Sequence, residues 1–229
     1  MRIAEIFHSI QGEGLLTGVP SVFIRTSGCN LRCDWCDTPY ASWKPEGEEM
    51  SASEVLKKIL EWDCNHIVLT GGEPMIAPDL TELSDALKKQ NKHITIETAG
   101  TIPPNRIPCD LASISPKLSN STPPASCDPA WAKRHQATRL QPEVISEWIV
   151  KYPFQLKFVV SSENDLVEIK SLLLKLPKIP VDRVLLMPEG IDSKTLASRS
   201  PWLVEICKRE GFRFCSRLQI ELFGHTRGT

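Results

Sequence analysis

The sequence predicts an α/β protein folded as a partial, open TIM-like β/α barrel with six or so parallel strands. Three observations predict it. Strand-length apolar runs alternate with amphipathic stretches of helical period, an order that leads to parallel β/α units joined by right-handed crossovers. The polar signatures follow the strands: a cysteine run after Thr26, Thr70-Gly71-Gly72-Glu73-Pro74 after Val68-Leu69, Thr98 after Ile96-Glu97, and Ser115-Pro116-Lys117 after Ile114. Signatures from several strands gathered on one carboxyl rim are how β/α barrels build active sites. Six or seven strands in place of eight leave the barrel open.

The strand runs are Ile3 to Phe7, Val22 to Thr26, Ile67 to Thr70, Ile94 to Glu97, Leu111 to Ile114, Leu156 to Val160 and Val184 to Met187. Each is β-rich and four or five residues long. Helical period marks Ser51 to Trp62, Asp79 to Asn91, Pro142 to Val150, Glu163 to Leu176 and Ser193 to Glu210. The first of these opens with Ser51-Ala-Ser-Glu54, a capping-box pattern that places Val55, Ile59 and Trp62 on one face. Between Pro103 and Pro142 lie eight of the eighteen prolines, and periodicity is confined to a short helix near Ala130 to His135. A stretch this long is a covering loop or hides an element. The expectation is one domain over residues 1–229 with an irregular Pro-rich insertion around 103–142.

At 229 residues and 41% hydrophobic content the chain can bury one substantial core. A net charge of -1 with no block of Lys or Arg argues against nucleic acid or an anionic membrane as partner and favours a small-molecule substrate. Apolar runs of only a few residues and the absence of a signal-peptide core near Met1 point to a cytoplasmic protein. In a reducing compartment eight cysteines argue for metal or catalytic use over disulfides, at least for the three that cluster. Cys64, Cys109, Cys127, Cys207 and Cys215 are scattered and read as small apolar residues or incidental thiols.

The clustered three are Cys29, Cys33 and Cys36, in the run Cys29-Asn-Leu-Arg-Cys33-Asp-Trp-Cys36-Asp37-Thr38. Three thiolates with no fourth ligand nearby suit a metal cluster that keeps one position open. A structural zinc site wants four ligands, and the next Cys or His is Cys64, so the usual paired spacing is missing. A dithiol Cys33-x-x-Cys36 would leave Cys29 without a role. Thr70-Gly71-Gly72-Glu73-Pro74 taken alone is an ordinary strand-exit turn, although its glycines would let a ligand approach the backbone closely.

Together, the C-x3-C-x2-C spacing, the aromatic Trp35 before the last cysteine and the Gly-Gly-Glu-Pro turn resemble the radical S-adenosylmethionine (SAM) superfamily. Ser9-Ile10-Gln11-Gly12-Glu13-Gly14, Phe23-Ile24-Arg25-Thr26-Ser27-Gly28, Asp37-Thr38, Ser115-Pro116-Lys117 and the ending Gly224-His-Thr-Arg227-Gly228-Thr229 narrow the resemblance to the 7-carboxy-7-deazaguanine synthase family. It implies the radical SAM type of partial barrel. It also implies a 4Fe-4S cluster on Cys29, Cys33 and Cys36, whose remaining iron binds SAM. SAM-binding residues would be Trp35, Cys36, Asp37, Gly72, Glu73, Ser115, Pro116 and Lys117, with Met187-Pro188-Glu189-Gly190 near the adenine. The substrate, 6-carboxytetrahydropterin, would meet Ile10, Gln11, Gly12, Arg25, Thr70 and the ordered tail residue Thr229. Gln11 can pair with amide-like ring edges and Arg25 can fork onto a carboxylate. Thr38 would give one oxygen to Mg2+, which the substrate carboxylate must complete.

The implied reaction starts with SAM cleavage to a 5'-deoxyadenosyl radical, continues by ring contraction with loss of ammonia, and belongs to queuosine and deazapurine biosynthesis. The family recycles SAM. The resemblance further implies an electron donor such as flavodoxin or ferredoxin, and a homodimer. His8, Glu13, Glu97 and His225 are candidate acid-base groups by proximity only. Two rival readings stand beside this one: a glycyl-radical-enzyme activating enzyme, which would not explain Gln11, Asp37-Thr38 and the Arg227 tail together, and a non-catalytic zinc-binding module.

Overall fold

Alternation along the strands sorts the side chains into two sets. Val22 and Ile24, Ile67 and Leu69, Ile94 and Ile96, Ala112 and Ile114, Leu156 and Phe158, and Val184 and Leu186 all enter one apolar core of 33 buried residues. Their neighbours Arg25, Thr70, Glu97, Ser113, Lys157 and Met187 line a cleft on the opposite face. One face of the sheet is therefore covered by helices and the other is the site.

The computed structural model describes residues 1–229. Nine strands form one sheet: β1 (Arg2–Ile10), β2 (Pro20–Thr26), β3 (Glu48–Glu49), β4 (His66–Gly71), β5 (His93–Thr98), β6 (Leu111–Ile114), β7 (Phe154–Val160), β8 (Val184–Pro188) and β9 (Arg213–Phe214). Their order is β3-β1-β2-β4-β5-β6-β7-β8-β9, with β3 and β9 as the two edges, so the barrel is open. From β2 to β9 all pairings are parallel, which makes seven parallel strands. The first run departs from the expectation: β1 lies antiparallel to β2, with Phe7 opposite Phe23, their rings stacked at 4.9 Å. Only a nine-residue link separates these strands, too short for a parallel crossover helix. The two-residue strands β3 and β9 have too little sequence to show a period.

Seven helices lie between the strands and an eighth follows β9: α1 (Pro39–Ser42), α2 (Ala52–Ile59), α3 (Leu80–Lys89), α4 (Pro129–Thr138), α5 (Pro142–Lys151), α6 (Asp165–Leu173), α7 (Ser193–Glu210) and α8 (Leu218–Phe223). Ser51 caps α2 in a complete capping box with Glu54, and Val55 and Ile59 are buried. Within the Pro-rich stretch a 3-10 turn at Ser119–Ser121 and the ten-residue helix α4 supply regular structure. Pro129 at the start of α4 and Pro142 at the start of α5 set those helices rather than break them. No helix is long and apolar enough to cross a membrane.

The loop after β1 crosses to the far side of the sheet. Gly14 donates its N–H to Cys215 Sγ at 3.1 Å, Leu15 to Gln155 Oε1 at 2.7 Å, and Leu218 to Gly12 O at 3.0 Å. A Cβ on Gly12 would stand 2.9 Å from the backbone N of Gln219 as well as 1.8 Å from its Oε1, so a larger residue would push the two segments apart. The crossing brings Gln11 and Glu13 into the cleft.

Candidate active site

The cleft encloses about 1230 Å3, open mouth included. Of the residues singled out by sequence, Ile10, Gln11, Gly12, Arg25, Cys29, Cys33, Trp35, Cys36, Asp37, Thr38, Thr70, Gly72, Ser115, Lys117 and Thr229 all line it. Glu73 and Pro116 do not. Of the Met187 to Gly190 segment only Met187 reaches the wall.

The loop carrying the cysteines has no repeating structure of its own and is pinned to the Gly-Gly-Glu turn. Gly28 donates to Ala41 O at 2.8 Å, Gly72 to Thr26 O at 3.2 Å, and Glu73 donates its N–H to Gly28 O at 2.9 Å. The Glu73 carboxylate is fully buried and accepts from Thr98 Oγ1 at 2.8 Å and Ala99 N at 2.8 Å. Burial raises its pKa, against the lowering effect of those donors. It braces the turn from below, while the glycines face the cleft.

Cys29, Cys33 and Cys36 share one cleft wall with Leu31 and Ala99. Burial pushes the thiols of Cys29 and Cys33 up to about 12, so they become thiolates only when metal replaces their protons. No three His, Cys, Asp or Glu side chains are arranged to hold a single metal ion. The three thiols are soft ligands of the kind an iron-sulfur cluster takes, and no fourth Cys or His lines the cleft to close a tetrahedral zinc site. Cys36 Sγ lies 3.1 Å from Ser42 Oγ and 3.9 Å from Thr38 Oγ1. Thr38 is the residue before α1, yet its hydroxyl makes no capping hydrogen bond and stays available in the cleft.

Trp35 is fixed by donating Nε1–H to Asn120 O at 3.0 Å, and it packs against Met187, Val159, Leu185 and Cys215. Lys117 sits 5.8 Å from its ring centroid and donates to Ser115 O and Oγ, both at 2.8 Å. Across the cleft, Arg25 Nε donates to Glu5 Oε1 at 2.6 Å, which leaves its two Nη groups without a protein acceptor. Glu97 accepts from Gln11 Nε2 at 3.1 Å and from Thr70 Oγ1 at 2.9 Å. The result is a polar edge of carboxylate, amide and hydroxyl in the same cleft as the thiols.

Beside that edge lies an ion network. Lys157 and Arg217 both pair with Glu13, Arg217 also pairs with Asp37, and Gln219 Nε2 donates to Glu13 Oε1 at 2.7 Å. Burial disfavours the charged form of Glu13, but the two cations overcome it and hold the carboxyl well below its usual range. Burial likewise opposes ionisation of Asp37, and Arg217 reverses it. Lys157, Arg217 and Gln219 escape the motif reading. Lys157 has a signal: with Gln155 it interrupts an otherwise apolar strand on one parity, the mark of a polar barrel interior. Arg217 has none, because it follows the two-residue strand β9 in an irregular link.

The tail folds back over this network. His225 Nε2 is 2.8 Å from Asp37 O, Arg227 sits 3.7 Å above the Tyr40 ring centroid, and Arg227 Nη1 meets Glu46 at 3.0 Å.

A family model for the radical SAM superfamily matches residues 23–113, from β2 to β6. The 7-carboxy-7-deazaguanine synthase of Rhodopirellula baltica is 48% identical over 100% of this chain and 89% of its own length. That of Halobacterium salinarum is 42% identical over 97% of this chain and 90% of its own. The crystal structure of QueE from Escherichia coli superposes with a TM-score of 0.69 at 26% identity, covering 95% of this chain and 93% of that one. With its three-thiol loop, open barrel and full-length similarity to these synthases, the chain belongs to the 7-carboxy-7-deazaguanine synthase family of radical SAM enzymes.

Proposed function

We propose that this chain converts 6-carboxytetrahydropterin to 7-carboxy-7-deazaguanine with loss of ammonia, a radical SAM lyase reaction in deazapurine biosynthesis. The observation that carries the reading is the convergence, in one cleft, of the three thiols with the Gln11–Glu97–Thr70 edge. When bound, the cluster and SAM supply a 5'-deoxyadenosyl radical. The chain's own residues bind, orient and shield.

Cys29, Cys33 and Cys36 hold the cluster. Trp35, Asp37, Gly72, Ser115 and Lys117 line the side of the cleft next to it and receive SAM, while Glu73 acts from beneath by fixing the turn. Glu97 offers two carboxylate oxygens to the donor edge of a pterin ring, held in place by Gln11 and Thr70. Arg25 turns its Nη groups toward a substrate carboxylate. Thr38 contributes one oxygen to Mg2+; a single hydroxyl is a weak site for a hard cation, so the ion and the substrate carboxylate bind together. Thr229 and the tail limit access of water to the radical. A low-potential donor of the flavodoxin or ferredoxin type, homodimeric assembly and a cytoplasmic setting complete the proposal.

Anaerobic incubation of cluster-loaded protein with SAM, reductant, Mg2+ and 6-carboxytetrahydropterin is the direct test, with 7-carboxy-7-deazaguanine as the readout. Intact, cluster-loaded protein that makes none refutes the substrate assignment. Glu97→Gln keeps the shape but removes the charge. Hydrogen bonds to charged groups contribute about 1.5–3 kcal/mol, so the pterin KM is expected to rise roughly ten- to hundred-fold. An unchanged KM removes Glu97 from the binding edge.

A further inference from the structure

Four lysine and arginine side chains are buried, and three have carboxylate partners: Arg139 with Glu168, Lys157 with Glu13, and Arg217 with Glu13 and Asp37. The fourth is Arg32, between two of the cysteines. It is 9% exposed and bonds only to neutral acceptors, donating Nη1–H to Cys29 O at 2.9 Å and Leu31 O at 2.7 Å. Its guanidinium lies 3.8 Å from the ring centroid of Trp131, and its backbone N–H donates to His135 Nδ1 at 3.1 Å. Trp131 and His135 both belong to α4, so the Pro-rich segment holds this residue in place.

No carboxylate pairs with this guanidinium, so an anion bound beside the loop would meet an uncompensated cation there. Resting on the reading that the three thiols bind a 4Fe-4S cluster, we infer that Arg32 is the counter-cation of that cluster and a positioning residue for its loop. Three thiolates make the cluster site anionic, and one electron from an external low-potential donor adds one more negative charge. Arg32 stabilises that added charge without moving a proton, and its carbonyl bonds fix the loop between Cys29 and Cys33. The net effect is to make the reduced state easier to reach, since nearby charge and hydrogen bonding set cluster potentials. The Trp131 ring keeps the guanidinium in place by cation-π contact.

The test compares the anaerobically reconstituted full chain with Arg32→Gln and Arg32→Lys, reading iron per chain and the electron paramagnetic resonance signal of the reduced cluster during a potentiometric titration. Arg32→Gln is expected to lower the reduced-to-oxidised ratio at a fixed potential about ten-fold, a 59 mV shift for a one-electron couple. Arg32→Lys, which keeps the charge, is expected to recover most of it. Should the Gln protein fail to retain iron, retention by the Lys protein with a near-native potential supports the counter-cation role, and loss from both overturns it in favour of packing alone. A cluster-loaded Gln protein with native potential also overturns it. Failure of the native chain to bind iron instead refutes the cluster reading on which the inference rests.

Discussion

Arg217 Nε reaches Glu13 at 3.1 Å, 204 positions away along the chain, and its Nη2 pairs with Asp37. One guanidinium thus ties the loop after β1, the end of the cysteine loop and the segment leading into α8. Its Nη1 also donates to Gly190 O at 2.5 Å.

Replacing Arg217 by Met preserves volume and takes the cation away from Glu13, 12% exposed, and from Asp37, which is 37% exposed. Asp37 loses its ion-pair partner, while Glu13 keeps Lys157 and Gln219. Breaking one partner of a fully buried pair costs about 3–5 kcal/mol; solvent at Asp37 and the remaining partners of Glu13 reduce this case to about 1–3 kcal/mol. Urea unfolding of the two proteins measures it. A loss under about 0.5 kcal/mol, the range of ordinary surface changes, would show that Arg217 does not hold the three segments together.

Gly72→Ala tests how tightly the cysteine loop is seated. An added Cβ would stand 2.2 Å from Gly28 O, 2.6 Å from Ala41 O and 2.7 Å from Cys29 Cβ. Two of these are backbone atoms that cannot swing aside, so the loop must shift. Overpacking of this kind costs roughly 1–3 kcal/mol and here displaces a metal ligand. Iron per chain after reconstitution is expected to fall by more than half, and native iron content in the variant would refute the close seating.

Much of this was legible in the sequence, and the part that was not has physical causes. The apolar runs ending at Thr70 and Glu97 marked the strands and their carboxyl ends, where the cleft lies, while the alternation that buries Ile67, Leu69, Ile94 and Ile96 on the far face emerges from the packed sheet. The capping box at Ser51 and Glu54 is local chemistry and reads directly. Glu73 sits differently from its motif reading because its carboxylate is consumed by Thr98 and Ala99, partners 25 and 26 residues away. The direction of β1 depends on how chain segments pair, and the nine-residue link after Ile10 was the only sign of it. Arg217 and His135 become functional-site neighbours through contacts spanning 180 and 103 positions, which no local pattern encodes.

His135 makes the cysteine loop sensitive to acid. Its Nδ1 accepts the Arg32 N–H at 3.1 Å, so Nε2 carries the proton and donates to Ser121 Oγ at 3.1 Å, which in turn donates to Leu118 O at 2.6 Å. Burial, then the charges of Arg139 and Lys117, hold its pKa at about 4 against an ordinary 6.5. A depressed folded-state value means the unfolded chain takes up the proton first. The stabilising contribution is therefore complete above pH 6.5 and is lost as the pH falls toward about 4. Denaturant titrations of the native protein and His135→Gln, whose amide can both accept and donate, should diverge over that window by on the order of 2 kcal/mol. Parallel pH curves would remove His135 as the source.

Deleting Arg227 to Thr229 separates shielding from folding. Arg227 is exposed and contributes an ion pair to Glu46 and a contact with the Tyr40 ring. An exposed pair contributes about 0–1 kcal/mol and an exposed cation-π contact about 0.5–1 kcal/mol, so the truncated chain should unfold within about 2 kcal/mol of the native one. Function should suffer more, because Thr229 lines the cleft and the tail crosses its mouth beside Asp37. With the mouth open, water and reductant reach a radical that the closed site protects. The truncated enzyme is expected to show a several-fold higher pterin KM and more 5'-deoxyadenosine released per product formed. Both quantities come from one anaerobic time course with chromatographic quantification. Native KM together with native coupling would mean that the tail rests on the site without serving it, and the closing role would pass to the Gln11–Gly14 crossing loop.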